Sequence, residues 1–442
     1  MSHLARVVQR RRIAVVGSGA AALAAAWQLS KHHDVSIFEK NPHIGGHANT
    51  LDVPVAKGGT IAVDTGFIVY NQRTYPNLIR MFDQLEVPTQ ATDMSFGVSL
   101  DDGAMEYSGG SLWGLFGQPV NLLRPRFLGM VADILRFYRQ APELLGTGES
   151  GPTLGDYLAR HRFGKAFIED HLLPMAAAIW SAPARTMLDF PATSFVRFCT
   201  NHGLLQLTDR PQWRTVVGGS REYVRRLVAD MTCRFHLNTA VLRIERKADG
   251  VDIVTADGTR HLFDAVVIGS HADEALSLLG NPTADETRLL GAFRYQENVT
   301  LLHTDARLMP RRRAVWSAWN YMGRTAAGGA RRLCVTYWMN RLQSLDPAVP
   351  LFVTLNPITP PDERSIHARF VYHHPLFDNA AMAAQTQLPR IQGHDRIWFC
   401  GSYFGYGFHE DAFSSGLAVA EALGCPAYRT DTTSIAGGEV TR

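Results

Sequence analysis

At 442 residues the chain exceeds what one hydrophobic core usually serves, so two intertwined or consecutive domains are expected. With 46% hydrophobic and 19% charged residues and a formal charge of +3, it is neither a disordered polymer nor a polycation, and nucleic acid is not expected as a partner. The five cysteines (Cys199, Cys233, Cys334, Cys400, Cys425) are widely spaced without a CxxC pair, which points to a reducing compartment, read as the cytoplasm, and to no metal site.

Near the N-terminus, Arg10-Arg11-Arg12 ahead of an apolar run has the outline of an export signal. That run carries a cofactor fingerprint instead, and no small-residue cleavage site ends it. RIAVV, AAALAAAWQLSK and DVSIFE predict a strand, a helix and a second strand, a βαβ unit over residues 12 to 39. Gly17, Gly19 and Ala22 form GxGxxA between the first strand and the helix, and Glu39 ends the second strand 20 residues after Gly19. Each residue type has a reason: Gly17 permits the tight turn, Gly19 lets the backbone approach a pyrophosphate, and Ala22 permits close packing of helix on strand. The helix N-terminus stabilises phosphate charge, and Glu39 accepts from ribose hydroxyls. Ala21 and Lys40 flank these positions and are grouped with them. The pair Gly45-Gly46 then suits a second close approach to an extended dinucleotide, FAD rather than NAD.

From 72 to 209 the pattern turns helical, with residues 130–138 and 167–173 as amphipathic pieces. From 215 to 270 strands return (TAVLRIER, GVDIVTAD, DAVVIGS), broken by the turn dipeptides Asp249-Gly250 and Asp257-Gly258. Five further runs between 296 and 375 (NVTLLHTD, AVWSAWNYM, RLCVTYWMN, LFVTLNP, HARFVYHH) have the spacing of an antiparallel sheet. RIWFCGS and AFSSGLAVAEALG predict a last strand and helix, closed by Gly424 and Pro426. The expected fold is α/β: a discontinuous Rossmann-like FAD-binding domain from 1–71, 210–275 and 390–428, with an inserted α+β substrate domain from 72–209 and 276–389. A flexible tail is expected over 429–442. No charge-free apolar stretch of about twenty residues is present to predict a transmembrane helix.

These motifs resemble those of the flavin-containing amine oxidase and phytoene desaturase superfamily, whose FAD domain is of the glutathione-reductase type. The family's GG-Arg resembles Gly45, Gly46 and His47, with His in place of Arg at a phosphate or ribityl contact. Its D-x-G-G beside the flavin ring resembles Asp64-Thr65-Gly66-Phe67, its P-x-G-G resembles Val216-Val217-Gly218-Gly219, and its adenine-contacting strand resembles Ala240-Val241. The C-terminal flavin motif resembles Cys400-Gly401-Ser402 followed by Glu410-Asp411-Ala412. Ser402 replaces a carboxylate, and a helix start at 411–413 would aim amides at the flavin pyrimidine oxygen. VTYWMN (335–340) and GYGFHEDAFSSGLA (405–418) further resemble bacterial oxidoreductases linked to modifying unsaturated or cyclopropane fatty acids.

The resemblance implies a flavoenzyme acting on a lipid or fatty acyl substrate by desaturation, isomerisation or reduction; an amine oxidase and an FAD-binding carrier without turnover are the alternatives. Amine oxidases of the superfamily place a lysine near flavin N5, yet no lysine follows Lys247. Cys400 falls in a predicted buried strand, so the FAD is expected to be non-covalent. His409 is the first candidate for handling a proton, with Tyr406 and Tyr337 behind it; the alternative for His409 is a structural hydrogen bond at the helix start. Trp316, Trp319, Asn320, Tyr321 and Trp338 are candidates for an apolar tunnel or for ordinary core. Residues 112–128 mix aromatic, apolar and arginine side chains in a pattern that suits a lid with peripheral membrane contact. His373 and His374, adjacent on a strand, are expected to face opposite ways and to hold no metal.

Overall fold

The computed structural model describes residues 10–56, 58–146, 151–180, 184–206, 208, 210–326 and 331–428. The tail expected over 429–442 lies outside these described residues. The α/β fold follows the predicted βαβ unit. Arg12–Val16 forms the centre of a five-stranded parallel sheet in the order Cys233–His236, Asp34–Phe38, Arg12–Val16, Ala265–Ile268, Ile397–Phe399. Four of its five residues are buried, as a central parallel strand covered on both faces requires.

At Gly17 the chain turns with φ of +95°, a conformation open to glycine, and its N–H donates to Phe38 O at 2.8 Å. The helix Ala20–Leu29 that follows is wholly buried. Its cover is the last helix, His409–Ala422, and the two meet backbone to backbone, since a Cβ at Gly416 would collide with the Ala21 carbonyl. Ala22 packs on the strand side, where a Cβ at Gly269 would stand 2.6 Å from its own Cβ. The two hairpin dipeptides fold as expected into a three-stranded antiparallel sheet of Val241–Arg246, Val251–Thr255 and Arg260–Phe263.

The second large sheet has seven strands in the order Ile366–Leu376, Arg294–His303, Phe352–Leu355, Arg331–Trp338, Trp319–Thr325, Phe96–Leu100, Met105–Ser108. The last two come from the section that reads as helical. The turn Asp101-Asp102-Gly103 between them, with all three residues at positive φ, is the hairpin signal that the helical reading passes over. Phe96–Leu100 then pairs parallel with Trp319–Gly323, a junction across 223 residues that no local pattern announces.

The helical section does form helices, among them Pro125–Gln140, Leu173–Trp180 and Ala192–Asn201. Ahead of Trp180 the chain passes through a π turn at Ile168–Leu172. Pro174 has no N–H to give the Asp170 carbonyl, and the buried Tyr107 hydroxyl donates to that oxygen instead at 2.8 Å. Another long-range tie fixes the helix Pro76–Gln84: its first amides, Asn77 N and Leu78 N, each donate at 3.0 Å to the Glu410 carboxylate from the last helix. Among the described residues no helix is long and apolar enough to cross a membrane.

Candidate active site

All five parallel strands deliver the segments beyond their C-terminal ends to one cavity of about 790 Å³: Gly17 to Ala21, Glu39 to Asn41, Ala240 and Val241, Gly269 to His271, and Gly401 to Tyr403. The carboxyl edge of an open parallel sheet is where such folds bind ligands. The facing wall is the seven-stranded sheet, through Phe96, Trp319, Tyr337, Leu355 and the run Phe370 to Pro375. Helix residues Met175, Ile179, Trp180 and Phe198, with the loop Tyr406 to His409, complete the lining.

Of the residues singled out for a cofactor, Gly17, Gly19, Ala21, Glu39, Lys40, Gly46, His47, Gly66, Phe67, Val241, Gly401, Ser402 and Ala412 line this cavity. Gly19 is where a side chain would intrude: a Cβ there meets nothing within 4 Å and would occupy the cavity. The Glu39 carboxylate is buried and oriented, accepting from Ser18 Oγ at 2.7 Å on one oxygen and from Asn41 N and Nδ2 at 2.8 and 2.9 Å on the other. Each oxygen retains capacity for a further donor. Lys40 is tied to Glu274 at 2.9 Å, which raises its pKa.

Gly45, Ala22 and Asp411 are not in the lining. The paired glycines approach protein: a Cβ at Gly45 would lie 2.7 Å from Ala48 O and one at Gly46 would lie 3.0 Å from Gly19 Cα, so the pair seats this loop on the fingerprint turn. Gly66 likewise makes room for the His47 carbonyl. The last helix begins at His409, two residues earlier than the motif suggests, and Ala412 N already donates to Phe408 O. The free amides therefore lie at 409 to 411. Asp411 turns back on the loop, accepting from Tyr406 N and Phe408 N at 2.9 Å each, and burial pushes its pKa up to about 6. Ser402 holds the same loop by its carbonyl, which accepts from Gly405 N and Gly407 N at 3.1 Å.

The three candidates for proton chemistry all line the cavity, in different surroundings. His409 stacks on Phe67 with centroids 3.8 Å apart, and its Nε2 lies 2.5 Å from the buried Tyr223 hydroxyl. Burial lowers its pKa to about 3, so the ring is neutral near pH 7. Tyr337 stands edge-on to Trp319 at 5.2 Å, and burial raises its pKa. Tyr406 packs its ring edge against Phe198. Of the tunnel candidates, Trp319 lines the cavity, while Tyr321 and Asn320 are buried in the sheet; Trp316 and Trp338 pack on one another away from it.

The sequence reading misses three features. Asp64 does not line the cavity; it is a fully buried hub that accepts from Ser220 N and Oγ, Thr50 Oγ1 and Gln343 Nε2, with burial pushing its pKa up to about 6. His47 gathers His271, His374 and Tyr372 around it, with ring centroids 4.9 to 6.0 Å away. Burial lowers the pKa of all three imidazoles, that of His374 to about 4. Strand alternation leaves His373 exposed and turns His374 inward. Among the described residues no group of three or more His, Cys, Asp or Glu side chains is placed to hold a metal ion. Lastly, His47 Nε2, Trp180 Nε1, Trp319 Nε1 and Tyr403 Oη are buried without a hydrogen-bond partner, all on residues of this lining. Such orphans call for a polar occupant. Together with the open space at Gly19 and the seated carboxylate of Glu39, they fit an extended dinucleotide.

Comparison with known proteins agrees. The family described as flavin containing amine oxidoreductase matches residues 21–304. The Mycobacterium tuberculosis protein AofH, whose name assigns it to the flavin-containing monoamine oxidases, is 27% identical over 261 residues, 56% of this chain and 54% of that one. The chain thus matches only about half the length of that curated relative. In fold it is similar to a fatty acid isomerase from P. acnes that produces CLA (TM-score 0.65, 16% identity, 93% of this chain and 98% of that one). It is likewise similar to a redesigned putrescine oxidase (TM-score 0.67, 15% identity, 94% and 98%). The chain belongs to the flavin-containing amine oxidoreductase family and is an FAD-dependent oxidoreductase.

Proposed function

We propose that the substrate is lipophilic, an unsaturated fatty acyl chain that is desaturated, isomerised or reduced. The observation that carries this reading is the composition of the cavity wall. Its carboxylates, Glu39 and Glu274, and its lysine, Lys40, all stand with the parallel-sheet segments. The facing wall offers Met94, Phe96, Met175, Ile179, Trp180, Leu204, Trp319, Leu355 and Phe377, with no Asp, Glu, Lys or Arg among the described lining residues there. An ammonium substrate would lose its hydration without gaining a carboxylate, whereas a hydrocarbon chain gains about 0.8 kcal/mol per buried CH₂. Similar folds host both an acyl isomerase and an amine oxidase, so fold alone does not choose between them.

FAD would be held without a covalent bond by the amides beyond Gly17, by Glu39 on the adenosine ribose, by Val241 beside the adenine, and by Gly66, Phe67, Ser402 and the amides of 409–411. Burial pushes the nearby Cys400 thiol up to about 12, which keeps it protonated. Bound FAD supplies a two-electron hydride acceptor and donor. The protein must then exclude water, align the chain and manage a proton, since altering hydrogen at adjacent carbons moves one hydride and one proton. Trp180, Phe198 and Phe96 exclude water. The Tyr337 and Tyr406 hydroxyls are the proton-handling groups this geometry favours, because His409 is held as a very weak base and its Nε2 is already engaged by Tyr223. His409 positions Phe67 and the loop ahead of the last helix.

The deciding experiment mixes FAD-loaded protein anaerobically with oleic or linoleic acid in one arm and putrescine or benzylamine in the other. Flavin absorbance and the double-bond positions of recovered acyl chains are followed together, because isomerisation leaves no net reduction. Acyl turnover supports the proposal. Reduction by amine with unchanged acyl chains would make the protein an amine oxidase, and silence in both arms a carrier.

A further inference from the structure

Seven of the twelve large hydrophobic side chains exposed among the described residues fall between 112 and 135: Leu112, Trp113, Val120, Leu122, Leu123, Leu128 and Leu135. Trp113 is 89% exposed, Leu123 83% and Leu112 76%. They sit on consecutive short elements, Leu112–Leu115, Pro119–Leu123 and the helix Pro125–Gln140. These elements are anchored from beneath: Phe127, Met130 and Phe137 are buried, Asn121 Nδ2 donates to Glu106 O at 3.0 Å, and the Ser111 hydroxyl caps Gly114 N at 3.0 Å. The outward leucines and tryptophan are therefore presented by a fixed scaffold. Clustered exposure of this kind marks an interaction surface.

Charge selects the occupant. From 109 to 140 the chain carries Arg124, Arg126, Arg136 and Arg139 against one acid, Asp133. The turn Arg313–Val315 packs beside Leu112–Leu115 and brings exposed Arg311 and Arg313 to the same region. Arg124 donates to neutral oxygens, Ala104 O at 2.7 Å and Asn121 Oδ1 at 3.1 Å. A second copy of this face would bring like charges together, whereas an anionic bilayer offers negative headgroups to the arginines and an acyl boundary to Trp113 and the leucines. We propose that this face docks on an anionic phospholipid membrane, with Trp113, Leu112 and Leu123 as inserted anchors and the surrounding arginines on the headgroups. The proposal rests on exposure and charge, independently of the substrate reading.

The test is cosedimentation of FAD-loaded protein with vesicles of phosphatidylglycerol mixed with phosphatidylcholine, and with phosphatidylcholine alone. Wild type should partition onto the mixed vesicles, more weakly onto the neutral ones, and less as salt rises. The double variant Trp113→Ser, Leu123→Ser should lower partition about tenfold or more, with FAD content and melting temperature unchanged. Arg139→Gln with Arg311→Gln should remove the preference for the anionic vesicles while leaving the neutral component. Sedimentation velocity without lipid runs alongside. A wild type that never cosediments, a serine variant that binds equally well, or a wild-type dimer that the serine variant dissociates would each overturn the proposal, the last by making a second copy of the chain the occupant.

Discussion

The cavity has two walls built on opposite principles. The parallel-sheet wall is made of segments that each follow directly from the end of a strand, so its chemistry is local: Gly17, Gly19 and Glu39 lie within one βαβ unit. The facing wall exists only after Phe96–Leu100 has found Trp319–Gly323 and Arg331–Trp338 has paired between its neighbours. The first wall encodes what is bound by backbone geometry. The second encodes by side-chain volume, and its surface can be rebuilt without disturbing the cofactor.

The largest effect should come from breaking the first wall where it is tightest. Gly416→Leu forces a side chain into the Ala21 carbonyl, at a cost of roughly 3 kcal/mol or more if the helices cannot part. Soluble yield and melting temperature should fall sharply; a variant that melts with wild type would show that the two helices are free to separate. Next, Tyr337→Phe should slow acyl turnover by about a hundredfold with FAD content intact, the scale of one proton-transfer group. His409→Gln should slow it by less than about tenfold if its duty is positioning, and the reverse order of the two would restore His409 as the base. Glu39→Ala should weaken FAD by roughly 10- to 150-fold, as loss of a charged acceptor worth about 1.5–3 kcal/mol implies. Titration of apo-protein by fluorescence quenching measures it, and unchanged affinity would move the adenosine elsewhere.

A smaller effect concerns pH. His171, His202, His303, His374 and His409 have folded-state pKa values lowered to about 3 or 4, while Asp64, Glu410 and Asp411 are raised to about 6 or 7, all by burial. Between about pH 6.5 and 4 the unfolded chain binds extra protons at the five histidines, and the folded chain binds extra protons at the three carboxyls. The histidines outnumber them. Stability should therefore fall as pH drops through this window, more gently than the histidines alone would give, and calorimetry of the apo-protein at pH 7 and pH 5 measures it.

Much of the first wall was legible because glycine, a charged strand end and helical spacing are local signals; GxGxxA and Glu39 line the cavity as the βαβ reading expects. What that reading mistook was the partner of a close approach. Gly46 and Gly66 look from sequence like room for a ligand, and in the structure they make room for Gly19 and for the His47 carbonyl. The motif Asp64 was legible as important but not as a hub, because its donors Ser220 and Gln343 lie 156 and 279 residues away. The gathering of His271 and His374 around His47 was hidden for the same reason: each alone reads as a surface or strand histidine, and their proximity is a property of the assembled sheet.

The contact between Gly416 and Ala21 also bears on how the protein is made. The fingerprint helix is among the first segments synthesised, yet its cover, the last helix, and the edge strand Ile397–Phe399 follow almost 400 residues later. At about 5–20 residues per second, the helix waits on the order of 20–80 s with an all-apolar surface uncovered. The alanines that allow close packing in the finished fold, Ala20 to Ala22 and Ala24 to Ala26, also keep that waiting surface low in sticky bulk. Closing a loop of this length is slow, and folding should be limited by the return of the C-terminal segment. The dinucleotide crevice is thus begun first and finished last, and FAD can be captured only by a chain whose far end has come home.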